Sequence, residues 1–375
     1  MKKLFRTIAL LCALALVAAA CGGGDDADTT DGDVEDAVSA TTAPTTEAPA
    51  TTEAPTTTST TTTTEAPSGP AFPLTGEIIG DGETADHRAV VVKISNNDVT
   101  ARAALLGLDE ADIVFEERIE QDATRFAAVF HSSLPTEVGS VRSGRTSDID
   151  IVANLNSPAF AYSGANNLVE GQIRAAENNG LLNRVSEQLG NSELSRISQF
   201  SAPNNLVADV GAVLERVGEG DPPTPIFDYS DNLEEIGAIA SSGARVQGRD
   251  TVEFVFNEAA GGYLRFDNGQ QLVGRDGAPI VSQNVIILTT TYLRSQIDAS
   301  SVDATTVGSN PVVVYSGGLR IEGTWTREFQ RDGYTLETPE GEIIGLAPGQ
   351  AWVSLAPSNT SAEISQGDAD DLLNR

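Results

Sequence analysis

The chain has 375 residues, and 54 acidic side chains against 23 lysines and arginines leave a formal net charge of −31. So acidic a surface repels nucleic acid and anionic lipid head groups, and neither is expected as a partner. Once a leader and a linker are set aside, the length suits roughly two ordinary domains.

Residues 1–20 follow the plan of a secretory signal peptide, with Lys2, Lys3 and Arg6 ahead of an uncharged apolar run from Thr7 to Ala20. That run falls short of the roughly 20 residues a helix needs to cross a bilayer, so it is built to be cut. Ala18, Ala19 and Ala20 directly before Cys21 resemble a bacterial lipobox, in which acyl chains such as palmitate are attached to the cysteine and the leader is cleaved in front of it. The lipobox prefers leucine where this chain has Ala18, with Leu16 two places further back; the competing reading is an ordinary secretory signal cut nearby. Several acyl chains on one residue supply the two-signal anchoring that a single chain lacks. The expected location is therefore the extracytoplasmic face of the cell membrane, held by lipid on Cys21. The other cysteine, Cys12, lies in the leader, so processing leaves no free thiol for disulfides, metal binding or nucleophilic catalysis. Loss of the three leader cations takes the formal charge to −34.

Residues 21–71 form the expected linker. Between Ala40 and Ser68 it is a Thr/Pro/Glu run with no apolar period, which cannot bury enough surface to offset the entropy of ordering. In an extended conformation some 50 such residues reach roughly 150 Å, enough to carry a folded head away from a membrane. The composition is also that of O-glycosylated stalks. Residues 358–375 read as a second, shorter disordered tail.

The head is expected to be α+β: a mixed N-terminal domain with a central sheet over 72–225, then a mainly antiparallel β domain over 226–357. Ala89 to Ser95 is a β-branched run that reads as a buried strand, followed by a short helical stretch from Ala101 to Ala111. Asp112 to Ser133 reads as a hairpin turning at Gln121–Thr124. That turn pairs Glu120 with Arg125 and Phe115 with Phe130, putting Glu116, Glu120 and Arg125 on one charged face and the aromatics on a core face. In the loop that follows, Arg142, Ser143 and Arg145 precede a helix start near Thr146, an arrangement suited to a carboxylate, phosphate or sulfate, or to Asp148, Asp150 and the hairpin acids. A strand at Pro158 to Gly164 and helices at Asn167 to Glu177 and Asn205 to Val217 complete the first half. Beyond Pro225 the chain turns strand-like, with hairpin signals at Asp267-Asn268-Gly269 and Arg331-Asp332-Gly333.

GLDEADIVFEERIEQDATRF (Gly107 to Phe126), VGSVRSGR (Val138 to Arg145), Gln283 to Ile286 and Pro348 to Trp352 together resemble the YerB-like bacterial lipoproteins, over roughly Pro73 to Pro357. The resemblance implies an exported, lipid-anchored α and β protein and no established reaction. It implies that Glu116, Glu120, Arg125, Arg142, Ser143, Arg145 and Asp148 line any family site. The chain departs from that family at Tyr162 and Asn204, where many relatives carry histidine.

Chemistry narrows the function further. His87 and His131 are the only candidate histidine bases, and neither has a recognisable nucleophile partner. Phosphate loops and dinucleotide fingerprints are missing, and two histidines without a thiol do not suggest a transition-metal site. No cofactor or metal is expected. The reading is a binding or scaffolding head that engages a cell-wall polymer or an envelope protein. The alternative is an envelope hydrolase or transferase using Glu116 or Glu120 as acid or base, although strand spacing sets those two about 13 Å apart.

Overall fold

The computed structural model describes residues 69–298 and 301–375; the leader, Cys21 and the linker through Ser68 lie outside the described residues. The ordered head starts before the expected boundary at Phe72, since Ala71 bridges Ile78 and the Ile79 amide donates to the Pro70 carbonyl at 2.9 Å.

Every residue of the strand Val90–Ser95 is buried, as its β-branched run requires. It pairs antiparallel with Thr124–Phe130 and parallel with Ala159–Tyr162. From one edge the large sheet runs Thr335–Glu337, Leu319–Arg327, Gly308–Ser316, Asn284–Thr289, Ala351–Ala356, Ile113–Arg118, Thr124–Phe130, Val90–Ser95, Ala159–Tyr162 and Asn183–Ser186. The fold is α+β, and the part beyond Pro225 is mainly antiparallel β, but one sheet passes through both halves. Its joints are parallel: Ala351–Ala356 lies between Ile113–Arg118 and Asn284–Thr289.

Both faces of this sheet are covered. On one face Val91, Phe115, Val129 and Val353 pack under the helices Thr146–Val152 and Asn167–Asn178. On the other, Val92, Val114, Phe126 and Trp352 meet the helix Val210–Val217 and a six-stranded antiparallel sheet containing Phe254 and Tyr263. This double burial corrects the expected hairpin register. Glu117, not Glu120, lies opposite Arg125, and Phe115 lies opposite Ala127. Gln121 and Asp122 adopt φ of 61° and 58°, which makes a wider turn than a four-residue loop over 121–124. The resulting odd slip reverses faces, so Glu116 points away from Arg125.

Other elements also differ. The helix expected over Ala101–Ala111 is a single turn, Val99–Arg102, capped by the Asp98 carboxylate accepting from the Thr100 and Ala101 amides at 2.9 Å, followed by a 3₁₀ turn at Leu108–Glu110. The segment 205–217 splits into the strand Leu206–Ala208 and the helix Val210–Val217. Residues 358–375 are not a disordered tail. Ser361–Glu363 adds to the six-stranded sheet, and the helix Gln366–Leu373 buries Ala369 and Leu372 against Val255, Leu264 and Phe266. The acid content of that segment masked a short amphipathic pattern, Ile364, Ala369 and Leu372.

The two histidines, 44 residues apart in sequence, have ring centroids 4.7 Å apart. His131 is buried, with Nε2 3.1 Å from the carbonyl oxygens of Ala85 and His87. Burial first, and the charge of His87 second, lower its pKa from 6.5 to about 4, against those two carbonyls. The folded state thus resists taking up this proton: its contribution to stability is complete above pH 6.5 and is lost as pH falls toward 4. In His131→Gln the urea midpoint is expected to fall less steeply between pH 6.5 and 4 than in the parent. An unchanged slope would reject His131 as the group responsible.

Candidate functional site

The arginine loop is held by backbone pairing before any side chain is considered. Val138–Gly139 pairs with Leu206–Ala208, Val141 bridges Ile94, and the Arg142 amide donates to the Lys93 carbonyl at 2.8 Å. Ser163 donates to the Arg142 carbonyl at 2.9 Å, and Gly144 donates to the Gly164 carbonyl at 3.0 Å. The loop therefore lies across the carboxyl ends of the parallel strands Val90–Ser95 and Ala159–Tyr162, the position at which open α/β sheets commonly bind ligands. Gly144 allows the approach, because a Cβ there would sit 3.0 Å from Ile173 Cδ1 and 3.3 Å from the Tyr162 ring. The helix then starts at Thr146, where the Arg145 amide donates to Asp148 Oδ2 at 2.7 Å.

Charges are arranged in two layers. The inner one is Lys93, whose Nζ contacts Glu117 Oε1 and lies 2.6 Å from Asp148 Oδ1, with all three side chains at most 1% exposed. Burial pushes the Glu117 carboxyl up to about 7; Lys93 opposes that shift and Asp148 adds to it. The outer layer is three guanidiniums. Arg125 Nη1 donates to the Ser143 carbonyl at 2.8 Å, Arg142 Nη1 to Asn204 Oδ1 at 3.1 Å, and Arg145 Nη2 to Glu120 Oε2 at 2.7 Å. Glu120 also accepts from Ser301 Oγ at 2.9 Å. Burial alone would raise Glu120, but the hydrogen bond and charge of Arg145 outweigh it and hold the carboxyl below the usual range.

Among the described residues Arg145 is the only one of these three arginines with a carboxylate within 4 Å. Burial, then the charges of Arg145 and Arg142, lower Arg125 to about 9. Burial also lowers Arg142, with Asp98 opposing and Arg145 adding. Arg125 Nε and Arg145 Nε are buried without a hydrogen-bond partner, as are Ser95 Oγ and Ser140 Oγ beside them. Ser95 lies directly opposite Arg125, and its amide donates to the Ser140 carbonyl at 3.0 Å.

Of the residues singled out in the sequence, Glu120, Arg125, Arg142, Ser143, Arg145 and Asp148 gather here, Ser143 through its carbonyl. Glu116 does not. It lies on the opposite face, accepting from Thr124 Oγ1 at 2.8 Å, Arg265 Nη2 at 2.9 Å and Trp352 Nε1 at 3.1 Å. Glu116 and Glu120 thus share no common space in which to flank a scissile bond. Lys93 and Glu117 escaped the sequence reading, while Asn204, singled out there only as a departure from the family's histidine, stands at the site as the acceptor for Arg142. A lone lysine inside AVVVKIS is the one signal that pointed to a buried ion cluster. Tyr162 is turned away, its hydroxyl 3.0 Å from Glu170 Oε2.

A family model described as "Protein of unknown function (DUF3048) N-terminal domain" matches residues 74–222, and its C-terminal domain counterpart matches 243–353. The chain belongs to the DUF3048 family. It is 26% identical over 309 residues to a Bacillus subtilis (strain 168) protein named as a lipoprotein, YerB, covering 79% of this chain and 89% of the relative. The crystal structure of YerB protein from Bacillus subtilis superposes with a TM-score of 0.67 at 21% identity, covering 79% of this chain and 99% of the other. The DUF3048 segments around Gln283 and Gly349 meet at a parallel joint: Gln283 Oε1 accepts from the Gln350 amide at 2.9 Å. A Cβ on Gly349, at φ 126°, would lie 2.6 Å from Gln283 Cγ.

Proposed function

We propose that this chain is a lipoprotein anchored through Cys21 on the outer face of the cell membrane, whose head binds an anionic group of a cell-wall polymer or envelope protein at Arg125, Arg142 and Arg145. The lipobox-like sequence at Cys21 and the relative's name support the anchor. One observation carries the binding reading: three guanidiniums are crowded together with Arg125 Nε buried and unpartnered among them. A guanidinium keeps its proton near neutrality, so the depressed pKa of Arg125 reflects first the cost of burying its charge and second that of gathering like charge. A carboxylate, phosphate or sulfate removes that cost and satisfies the open donors. The neighbouring hydroxyls of Ser95 and Ser140 suit a hydroxylated carrier of that anion.

The test measures retention of the full chain on isolated wall material and on immobilised anionic ligands, beside an Arg142→Ala, Arg145→Ala double variant. Charged hydrogen bonds contribute about 1.5–3 kcal/mol each, so the variant is expected to lose roughly a hundredfold or more in affinity. Retention should also weaken with salt. Equal retention of parent and variant would remove the arginine site. Mass spectrometry of the mature N-terminus should show acylated Cys21, and an unmodified terminus would remove the anchor.

A further inference from the structure

A cleft lies on the face of the sheet opposite the arginines, where the turn holding Gln247 and Arg249 crosses the strands Ile113–Arg118 and Ala351–Ala356. Its cavity volume is about 40 Å³. On that measure one water needs roughly 10–15 Å³, so the bore holds a row of two or three heavy atoms and excludes a sugar ring. Val246, Val252 and Leu355 contribute apolar walls.

The polar lining has a sign. Of its four carboxylates, Asp122 and Asp250 pair with Arg118 and Arg102, whereas Glu116 and Asp267 share the single guanidinium of Arg265, so the excess negative charge sits at these two; Arg249 also belongs to the lining. Asp267 is only 3% exposed; its Oδ2 contacts Arg265 Nη1, while Oδ1 is buried with no hydrogen-bond partner. A buried acceptor with no donor is costly, and Asp267 belongs to the lining of this partly apolar cleft.

We propose that this cleft takes the primary ammonium end of a slender unbranched chain, with Asp267 Oδ1 as its acceptor. An ammonium group is a compact cation with donors to spare. The apolar walls suit the methylenes behind it, and the bore rejects a quaternary ammonium. A lysine side chain of a peptide and a small amino alcohol share this chemistry. The proposal does not depend on anion binding at the arginines.

Calorimetric titration of the full chain with n-butylamine at neutral pH tests it, with butan-1-ol as the neutral counterpart. Binding of the amine and not the alcohol is expected. Asp267→Asn should weaken it at least tenfold, and Val246→Phe, which fills the bore and leaves every carboxylate in place, should do the same. The Arg142→Ala, Arg145→Ala variant should bind the amine as the parent does. Arms with a blocked lysine and with ethanolamine distinguish the two sources by which binds more tightly. Equal heats for amine and alcohol, or undiminished binding in Val246→Phe, would overturn the proposal.

Discussion

Lys93→Met is expected to destabilise the fold by about 3–5 kcal/mol, the range for removing one partner of a buried ion pair. Methionine keeps most of the lysine volume, so the loss is electrostatic. Glu117 and Asp148 would remain buried with no cation in contact, the first having lost the Lys93 contact and the second a 2.6 Å bond. Burial already raises Glu117 from 4.5 to about 7. A carboxyl raised on folding binds its proton more tightly in the folded state, so its penalty grows as pH rises from 4.5 through that value. The deficit of the variant should therefore be largest near neutrality and shrink toward pH 4.5. Adding Glu117→Gln and Asp148→Asn to Lys93→Met should recover part of the loss, because no bare charge is left behind. Urea unfolding at pH 5 and pH 7.5 measures both effects. A deficit that is the same at the two pH values would show that Lys93 contributes by packing alone.

The same residues show why the sequence was readable in some places and opaque in others. The strand Val90–Ser95 was legible because a β-branched run bounded by turn residues leaves few alternatives. The hairpin was recognised and misregistered. A register can be read from alternation when one face meets water, yet Phe115 and Phe126 are both fully buried on opposite faces of one sheet. With no polar face to fix the phase, a three-residue slip cost nothing in the pattern and put Glu116 beside the wrong neighbours. The arginine loop fared better, since the glycines around it and the helix start after it are local signals. What sequence could not supply was distance: Lys93, Glu117 and Asp148 are brought together by a sheet and a helix whose residues are up to 55 positions apart. The tail was misjudged on its charge, though three apolar residues suffice to seat its helix.

Arg265→Ala should cost a further about 3–5 kcal/mol and act in a different place, at the seam between the two sheets. Arg265 lies on Gly262–Asp267 of the smaller sheet and reaches Glu116 of the large one at 2.9 Å, with Asp267 as its second carboxylate. Its guanidinium also lies 4.9 Å from the Trp352 ring centroid and 5.3 Å from that of Phe126, contacts worth about 2 kcal/mol when desolvated. Alanine would strip two buried carboxylates of their cation and leave a void beneath an aromatic cluster. Lysine should rescue poorly, because one ammonium cannot bridge two carboxylates in a plane while stacking on indole. Hydrogen exchange separates this variant from Lys93→Met. Arg265→Ala should lose protection first in the strands Gly243–Gln247, Thr251–Asn257 and Gly262–Asp267, whereas Lys93→Met should expose Val90–Ser95 and Thr146–Val152. Identical exchange patterns in the two variants would mean that the sheets unfold as one unit and that the seam has no separate stability for Arg265 to supply.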